Sequence, residues 1–468
     1  MDFLSFSFAG FGVLVFAGWW LLSGKIRPWL LAAANLVFAH WFGPRTLICL
    51  VLICLAGYAC GRLLERRQSP AILWAGVLCC LAPLAAYKYL PLAAPSAFAE
   101  LAAPVGLSFY GFKTIACLAD VYRRRRPAEK NLLLYFAWLG FFAQLTSGPI
   151  QRAEEFLPQL KAPGRFDRTL AYTGCVRLCW GLFLKRCLAD QFALYQGALA
   201  YKPEQYYGLA IVWSVLGYGL YLYFDFASYS QLSIGVANLL GLRVGENFLS
   251  PYFSRSIGEF WRRWHISLSS FLRDYIYIPL GGSRRGVRVL ILATMVTFLA
   301  SGVSHGATGG FVIWGALHGV WLLIGRFTRL VRQRVWQRLG QDEHSPLRSA
   351  VSCAVTFVLV HTGWFFFAAG TLKQAWLLAG SVFQPVSVNL QFLKESLTQL
   401  GYTPAILLQL GAFTLLAAVV DWLARTEGFG AWQARQKPWL RVALCYLCVF
   451  GALFFGAAQS LPNVYFAF

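Results

Sequence analysis

Apolar runs long enough to approach a bilayer crossing recur along nearly the whole chain, and no other feature restricts the fold as much. A helix needs about 20 mostly apolar residues to cross the hydrocarbon core. Thirteen segments come near that length: 4–22, 28–42, 45–61, 70–88, 101–121, 131–147, 170–189, 207–225, 288–304, 309–326, 349–369, 404–423 and 439–457. Some are short or interrupted by polar residues. The expectation is therefore an all-α, polytopic integral membrane protein with about eleven to thirteen membrane segments, re-entrant helices included. No internal repeat is visible and no linker is long enough to divide the chain, so 1–468 reads as one domain.

Composition agrees. The chain is 58% hydrophobic and 17% aromatic, with only 13% charged residues. Soluble domains are usually about 45–50% apolar and about 25% charged. So few charges cannot dress a water-facing surface of this size, and the surplus apolar surface calls for a lipid bilayer. Lys and Arg total 41 against 19 acidic residues, a formal charge of +22. Such an excess suits nucleic acid, but its placement does not. The basic residues gather in short loops between apolar runs, as at Arg62, Arg66, Arg67 and Arg123 through Arg126. That is the distribution of cytoplasmic loops in membrane proteins, and no nucleic-acid partner is expected. Lys25 and Arg27 follow the first run, and the other two clusters follow the third and fifth. The amino terminus is thereby expected on the periplasmic side. With Asp2 in place of a basic leader and further apolar runs following at once, the first run reads as a membrane helix, not a cleaved signal.

The basic stretch 327–348, with Arg329, Arg332, Arg334, Arg338 and Trp336, reads as an amphipathic cytoplasmic helix at the headgroups. The twelve cysteines lie almost all inside apolar runs, where the thiol behaves as a small hydrophobe. Cys445 and Cys448 match C-x-x-C, but no second pair stands at zinc spacing, so neither a redox centre nor a metal is expected.

Ionisable groups at membrane depth mark functional sites. Of six histidines, His344 falls in a polar loop, and His40 and His361 read as lone residues at helix ends. His318 sits in an otherwise apolar run, with Trp314 and Trp321 on its own helical face and Gly315 and Gly319 beside it. Imidazole is the usual general base near neutral pH. His265 belongs to a dense polar and aromatic stretch: Glu259, Trp261, Arg262, Arg263, Trp264, Ser267 and Ser269, then Arg273, Asp274 and Tyr275. Gly302-Val-Ser304-His305-Gly306 matches the nucleophile elbow of serine hydrolases, but that motif works between a strand and a helix, and here it ends an apolar run. No Walker loop, H-E-x-x-H or strand-borne G-x-G-x-x-G appears.

Several blocks, in order, resemble the membrane-bound O-acyltransferase (MBOAT) family, in the bacterial branch of the alginate O-acetyltransferase membrane subunit and its peptidoglycan and D-alanine relatives. They are Pro104 to Tyr110, Asp120 to Arg123, Phe142 to Arg152, Asp225 to Tyr229, Glu246 to Arg284, Trp314 to Gly319, and the ending Pro462 to Phe468. The family core falls at about 104–326. The resemblance implies a central funnel and O-acyl transfer. Acetyl-CoA is the implied donor, or an acyl carrier protein in the D-alanyl relatives. The route implied runs from the cytoplasm across the inner membrane, through a periplasmic or membrane-anchored acyltransferase partner, to an exported or cell-wall polysaccharide. It implies His318 as catalytic base and His265 as the second catalytic residue, orienting or polarising the acyl carbonyl. Trp264, Arg273, Asp274, Tyr275, His305 and Trp314 are pocket candidates. One departure stands out: Ser304-His305-Gly306 occupies the place of the family's Trp-His-Gly. A transporter without covalent chemistry is the reading from another class.

Overall fold

The computed structural model describes residues 3–98, 103–196, 199, 206–306, 308–369, 371–382, 390–458 and 461. Among them the regular elements are all helical. Seven are long and apolar enough to cross a bilayer: Pro44–Arg66, Pro70–Pro91, Leu209–Leu239, Val287–His305, Gly309–Phe327, Pro346–Ala368 and Pro404–Ala424. Phe6–Leu21 and Pro438–Phe454 are shorter apolar helices. Large apolar side chains point outward, with Leu52 at 60% and Leu408 at 77% exposed. Lipid, not water, suits such a surface. The protein is a multi-pass membrane protein. By packing, the described residues group into two compact units: those up to Leu182 with Tyr229–Asn247, and those of Phe183–Ser228 with Phe248–Leu461.

The first unit is centred on an aromatic core in which Phe8, Phe11, Phe38 and Phe142 meet at centroid separations of 5.2–6.4 Å. The expected crossing at 131–147 is corrected here. A helix starts at Leu132, capped by the Asn131 side chain, and stops at Leu139. The chain turns, and the helix Ala153–Lys161 leads back until Lys161 Nζ stands 2.7 Å from Glu129. Entry and exit are neighbours, so the segment is a re-entrant hairpin. Its irregular backbone survives because protein groups, in place of water, satisfy it. The Asn35 amide donates to the Ala137 carbonyl at 3.2 Å and accepts from the Phe142 N–H at 2.9 Å. The Lys113 ammonium donates to Gln144 Oε1 at 2.9 Å and to the Trp138 carbonyl at 3.2 Å. Gly106 completes the fit. Its φ is +76°, and a Cβ there would lie 2.1 Å from the Leu145 carbonyl oxygen. Buried Arg177 pairs with Glu246 and donates to Gln231 Oε1 at 2.6 Å.

In the second unit Val287–His305 and Gly309–Phe327 pack with almost no gap. A Cβ at Gly302 would lie 2.3 Å from the Phe311 carbonyl oxygen, and one at Gly315 2.4 Å from that of Phe298. Small residues are what let membrane helices approach this closely. A π-helical turn, Leu184–Ala189, carries Lys185 into the interior. There its fully buried ammonium stands 2.7 Å from both Asp190 and Asp225 and donates to the Leu461 carbonyl at 2.8 Å. The basic stretch forms a helix, Arg329–Arg338, with Leu330, Val331 and Val335 exposed beside its arginines. The family-like ending Pro462 to Phe468 lies outside the described residues.

Candidate active site

The His265 region folds as two short helices, Ile257–Arg263 and Ile266–Leu272, with His265 at the joint. Ser256 caps the first by accepting the Glu259 N–H at 3.1 Å. The Glu259 carboxylate accepts the Arg255 N–H at 2.9 Å and pairs with Arg263 at 2.9 Å. The Ser269 hydroxyl donates to the Trp264 carbonyl at 3.1 Å, which gives the serine a place in the joint. His265 itself has φ 43° and ψ 54°. A left-handed non-glycine residue costs roughly 1–3 kcal/mol, and such strain gathers at functional sites. The buried His265 ring meets Phe226 edge-on at 4.6 Å. Burial first, and neighbouring His305 second, hold its imidazole well below the ordinary value, so the ring is neutral.

His318 stands in the middle of the helix Gly309–Phe327 and is fully buried. Aromatic rings wall it: Trp261, Trp314 and Trp321 at 5.1, 5.2 and 5.1 Å, and Phe260 stacked at 6.3 Å. Trp261 Nε1–H donates to His318 Nδ1 at 3.2 Å. His318 Nε2 has no hydrogen-bond partner among the described residues. It faces Gly363 of the helix Pro346–Ala368, where a Cβ would lie 2.8 Å from Nε2 and 3.3 Å from Trp314 Cδ1. Only a glycine lets the helix Pro346–Ala368 come this close to the imidazole.

The structure thus gathers several of the expected residues. His305 and His318 both meet Trp314 edge-on, at 5.3 and 5.2 Å. Trp264 stacks on Phe260 at 5.4 Å and lies 5.1 Å from Trp364. Arg273, Asp274 and Tyr275 fall on a π-helical turn; Arg273 is exposed and bonds Asp274 at 2.8 Å, and Tyr275 packs on Phe271. Ser304 donates from its hydroxyl to the Ser301 carbonyl at 2.7 Å inside a helix, which leaves no strand-to-helix elbow. His344 and His40 are exposed. His361 corrects the expectation of a helix-end residue. It is 3% exposed within Pro346–Ala368, and its Nδ1 meets the Phe357 carbonyl at 2.9 Å. Trp261 and Gly363 were not singled out in the sequence. Trp261 lay inside the aromatic stretch, but its partner is 57 residues away. Gly363 carries no local mark at all.

Comparison with known proteins shows the family. The model of MBOAT, the membrane-bound O-acyltransferase family, matches residues 108–347. The chain is 35% identical to the "Probable alginate O-acetylase AlgI" of Pseudomonas putida, over 79% of this chain and 77% of that one. It is 27% identical to the peptidoglycan O-acetyltransferase of Helicobacter pylori, over 79% of this chain and 75% of that protein. It is 26% identical to the teichoic acid D-alanyltransferase of Bacillus subtilis, over 71% and 87%. The chain belongs to the membrane-bound O-acyltransferase family, in its AlgI-like branch, and is an O-acyltransferase.

Proposed function

We propose that this protein moves an acetyl group from cytoplasmic acetyl-CoA across the inner membrane, to a hydroxyl on a partner acyltransferase that then acetylates an exported or cell-wall polysaccharide. The observation that carries the reading is the buried His318 ring, walled by aromatic rings and with an unpartnered Nε2 among the described residues. In the reaction the hydroxyl oxygen attacks the thioester carbonyl carbon, the C–S bond breaks, and the hydroxyl proton ends on the thiolate. His318 and His265 are the catalytic residues, one polarising the carbonyl and the other accepting the proton. No metal takes part in this scheme.

The donor is tested by supplying purified protein in proteoliposomes with acetyl-CoA or with a D-alanylated carrier protein. Release of CoA thiol that depends on the acceptor is expected. Turnover with the D-alanyl carrier alone would move the reading to the D-alanyltransferase branch.

Gly363→Ala tests the close packing on His318. The new methyl would stand 2.8 Å from His318 Nε2. Misplacement on the ångström scale can cost about 10²-fold, so we expect kcat to fall at least about tenfold. Overpacking of this kind typically costs about 1–3 kcal/mol, so activity is compared on protein shown by thermal melting to be folded. Full activity would mean that the position of the His318 ring does not matter to turnover.

Topology follows the charge. With 131–161 re-entrant, alternate crossings bring the basic segments 22–27, 62–67, 123–130, 243–288 and 327–348 to one side, the cytoplasmic one. In a cysteine-free background, a cysteine at position 2 should react with an impermeant reagent from outside, and one at position 124 should not. The opposite pattern would invert the donor side.

A further inference from the structure

An indole N–H can only donate. Because Trp261 donates to His318 Nδ1, that nitrogen presents its lone pair, and a neutral ring must carry its single proton on Nε2. In this state Nε2 cannot accept a proton from a hydroxyl. It is instead a buried donor lacking an acceptor among the described residues, and such a group is costly unless something completes it. The neighbouring Trp314 Nε1–H is also buried and unpartnered, and the Cδ1 bonded to it lies against Gly363 as His318 Nε2 does. Two buried donors without acceptors among the described residues therefore stand one turn apart on the helix Gly309–Phe327.

We infer that His318 acts as a neutral hydrogen-bond donor. Its Nε2–H holds the acyl carbonyl oxygen, with Trp314 Nε1–H as a second donor, and Trp261 is the positioning residue that fixes the tautomer. The assignment rests on the proposed acyl transfer at this site. As the hydroxyl oxygen bonds to the carbonyl carbon, the carbonyl π pair moves onto oxygen, between these two donors. The hydroxyl proton passes to the neutral imidazole of His265. Collapse expels the thiolate, which takes that proton from His265. His318 neither gains nor loses a proton. Donors aimed at a developing oxyanion are among the largest contributors to catalysis.

Glutamine separates the two roles of His318, since its side-chain N–H can donate where Nε2–H does but cannot serve as a base. His318→Gln should retain turnover about tenfold or more above His318→Ala, as one restored oxyanion donor would give. Trp261→Phe keeps an aromatic ring but frees Nδ1. A wrong tautomer can cost up to about 10⁴-fold in kcat, so a fall of at least about tenfold is expected, with KM nearly unchanged. The spectroscopic readout is the ¹⁵N spectrum of histidine-labelled protein, with the His318 signals identified by their loss in His318→Ala. Wild type should show a protonated Nε2 and an unprotonated Nδ1, and Trp261→Phe a mixture. A wild-type ring protonated on Nδ1 overturns the inference whatever the variants do. So does a folded His318→Gln as inactive as His318→Ala, because a donor's role would then lack its rescue. Normal turnover by His318→Ala would instead defeat the acyl-transfer reading of the site, while the tautomer is still judged by its own spectrum.

Discussion

Replacing His318 with alanine is expected to lower acyl transfer by at least about 10²-fold, the lower bound for losing either a general base or an oxyanion donor. The ring is fully buried in a wall of tryptophan and phenylalanine. Removing it therefore also opens a cavity, and folding must be watched separately by membrane insertion and thermal melting. The expected result is a protein that inserts and melts as a folded species but scarcely turns over. Loss of activity only through loss of folding would make His318 a packing residue. His265→Ala should be nearly as severe. It removes the second imidazole, although it also changes a joint held at φ 43°. His305→Ala should be intermediate, because His305 reaches the site through Trp314. His344→Ala, on an exposed loop, should be close to wild type.

Replacing Lys185 with methionine is expected to cost about 3–5 kcal/mol of stability, the usual penalty for removing one partner of a buried ion cluster. Its ammonium faces two fully buried carboxylates at 2.7 Å, and it also bonds the Leu461 carbonyl. Methionine fills similar space but removes the ammonium that both carboxylates face. Asp225→Asn should be milder, because the Lys185–Asp190 pair survives and the amide oxygen still accepts. The measurement is the melting temperature of each detergent-solubilised variant. A Lys185→Met protein melting with wild type would show that the cluster adds nothing to stability. The cluster also ties Leu461, whose N–H donates to Asp190 at 3.3 Å, so Leu461 should loosen when Lys185 is lost.

Much of this was legible in the amino-acid sequence, for physical reasons that differ by element. Lipid imposes length and apolarity on every crossing helix, so Pro44–Arg66, Val287–His305 and Gly309–Phe327 stood out with boundaries within a few residues. The hairpin at 131–161 did not, because its apolar run looks like a crossing. What turns it back is the Asn35 amide, about a hundred residues away, together with the close contact at Gly106. His318 was legible as an ionisable group in an apolar run. Its tautomer was not, because the hydrogen bond to Trp261 crosses 57 residues. His361 was read as a lone residue at a helix end, yet the helix continues to Ala368 and buries it. The Lys185 cluster went unread because each member is an ordinary charge until a π-helical turn and a distant segment bring them together.

The most direct test of the account follows labelled acyl groups in membranes from cells that produce the protein. Membranes would receive acetyl-CoA labelled in the acetyl group, and the alkali-labile label on macromolecules would be counted against the free thiol released. The account predicts one thiol released per ester formed in wild type, and both lost together in a folded His318→Ala protein. Ester formation unchanged in His318→Ala, or export of polysaccharide without any ester formed by wild type, would contradict it.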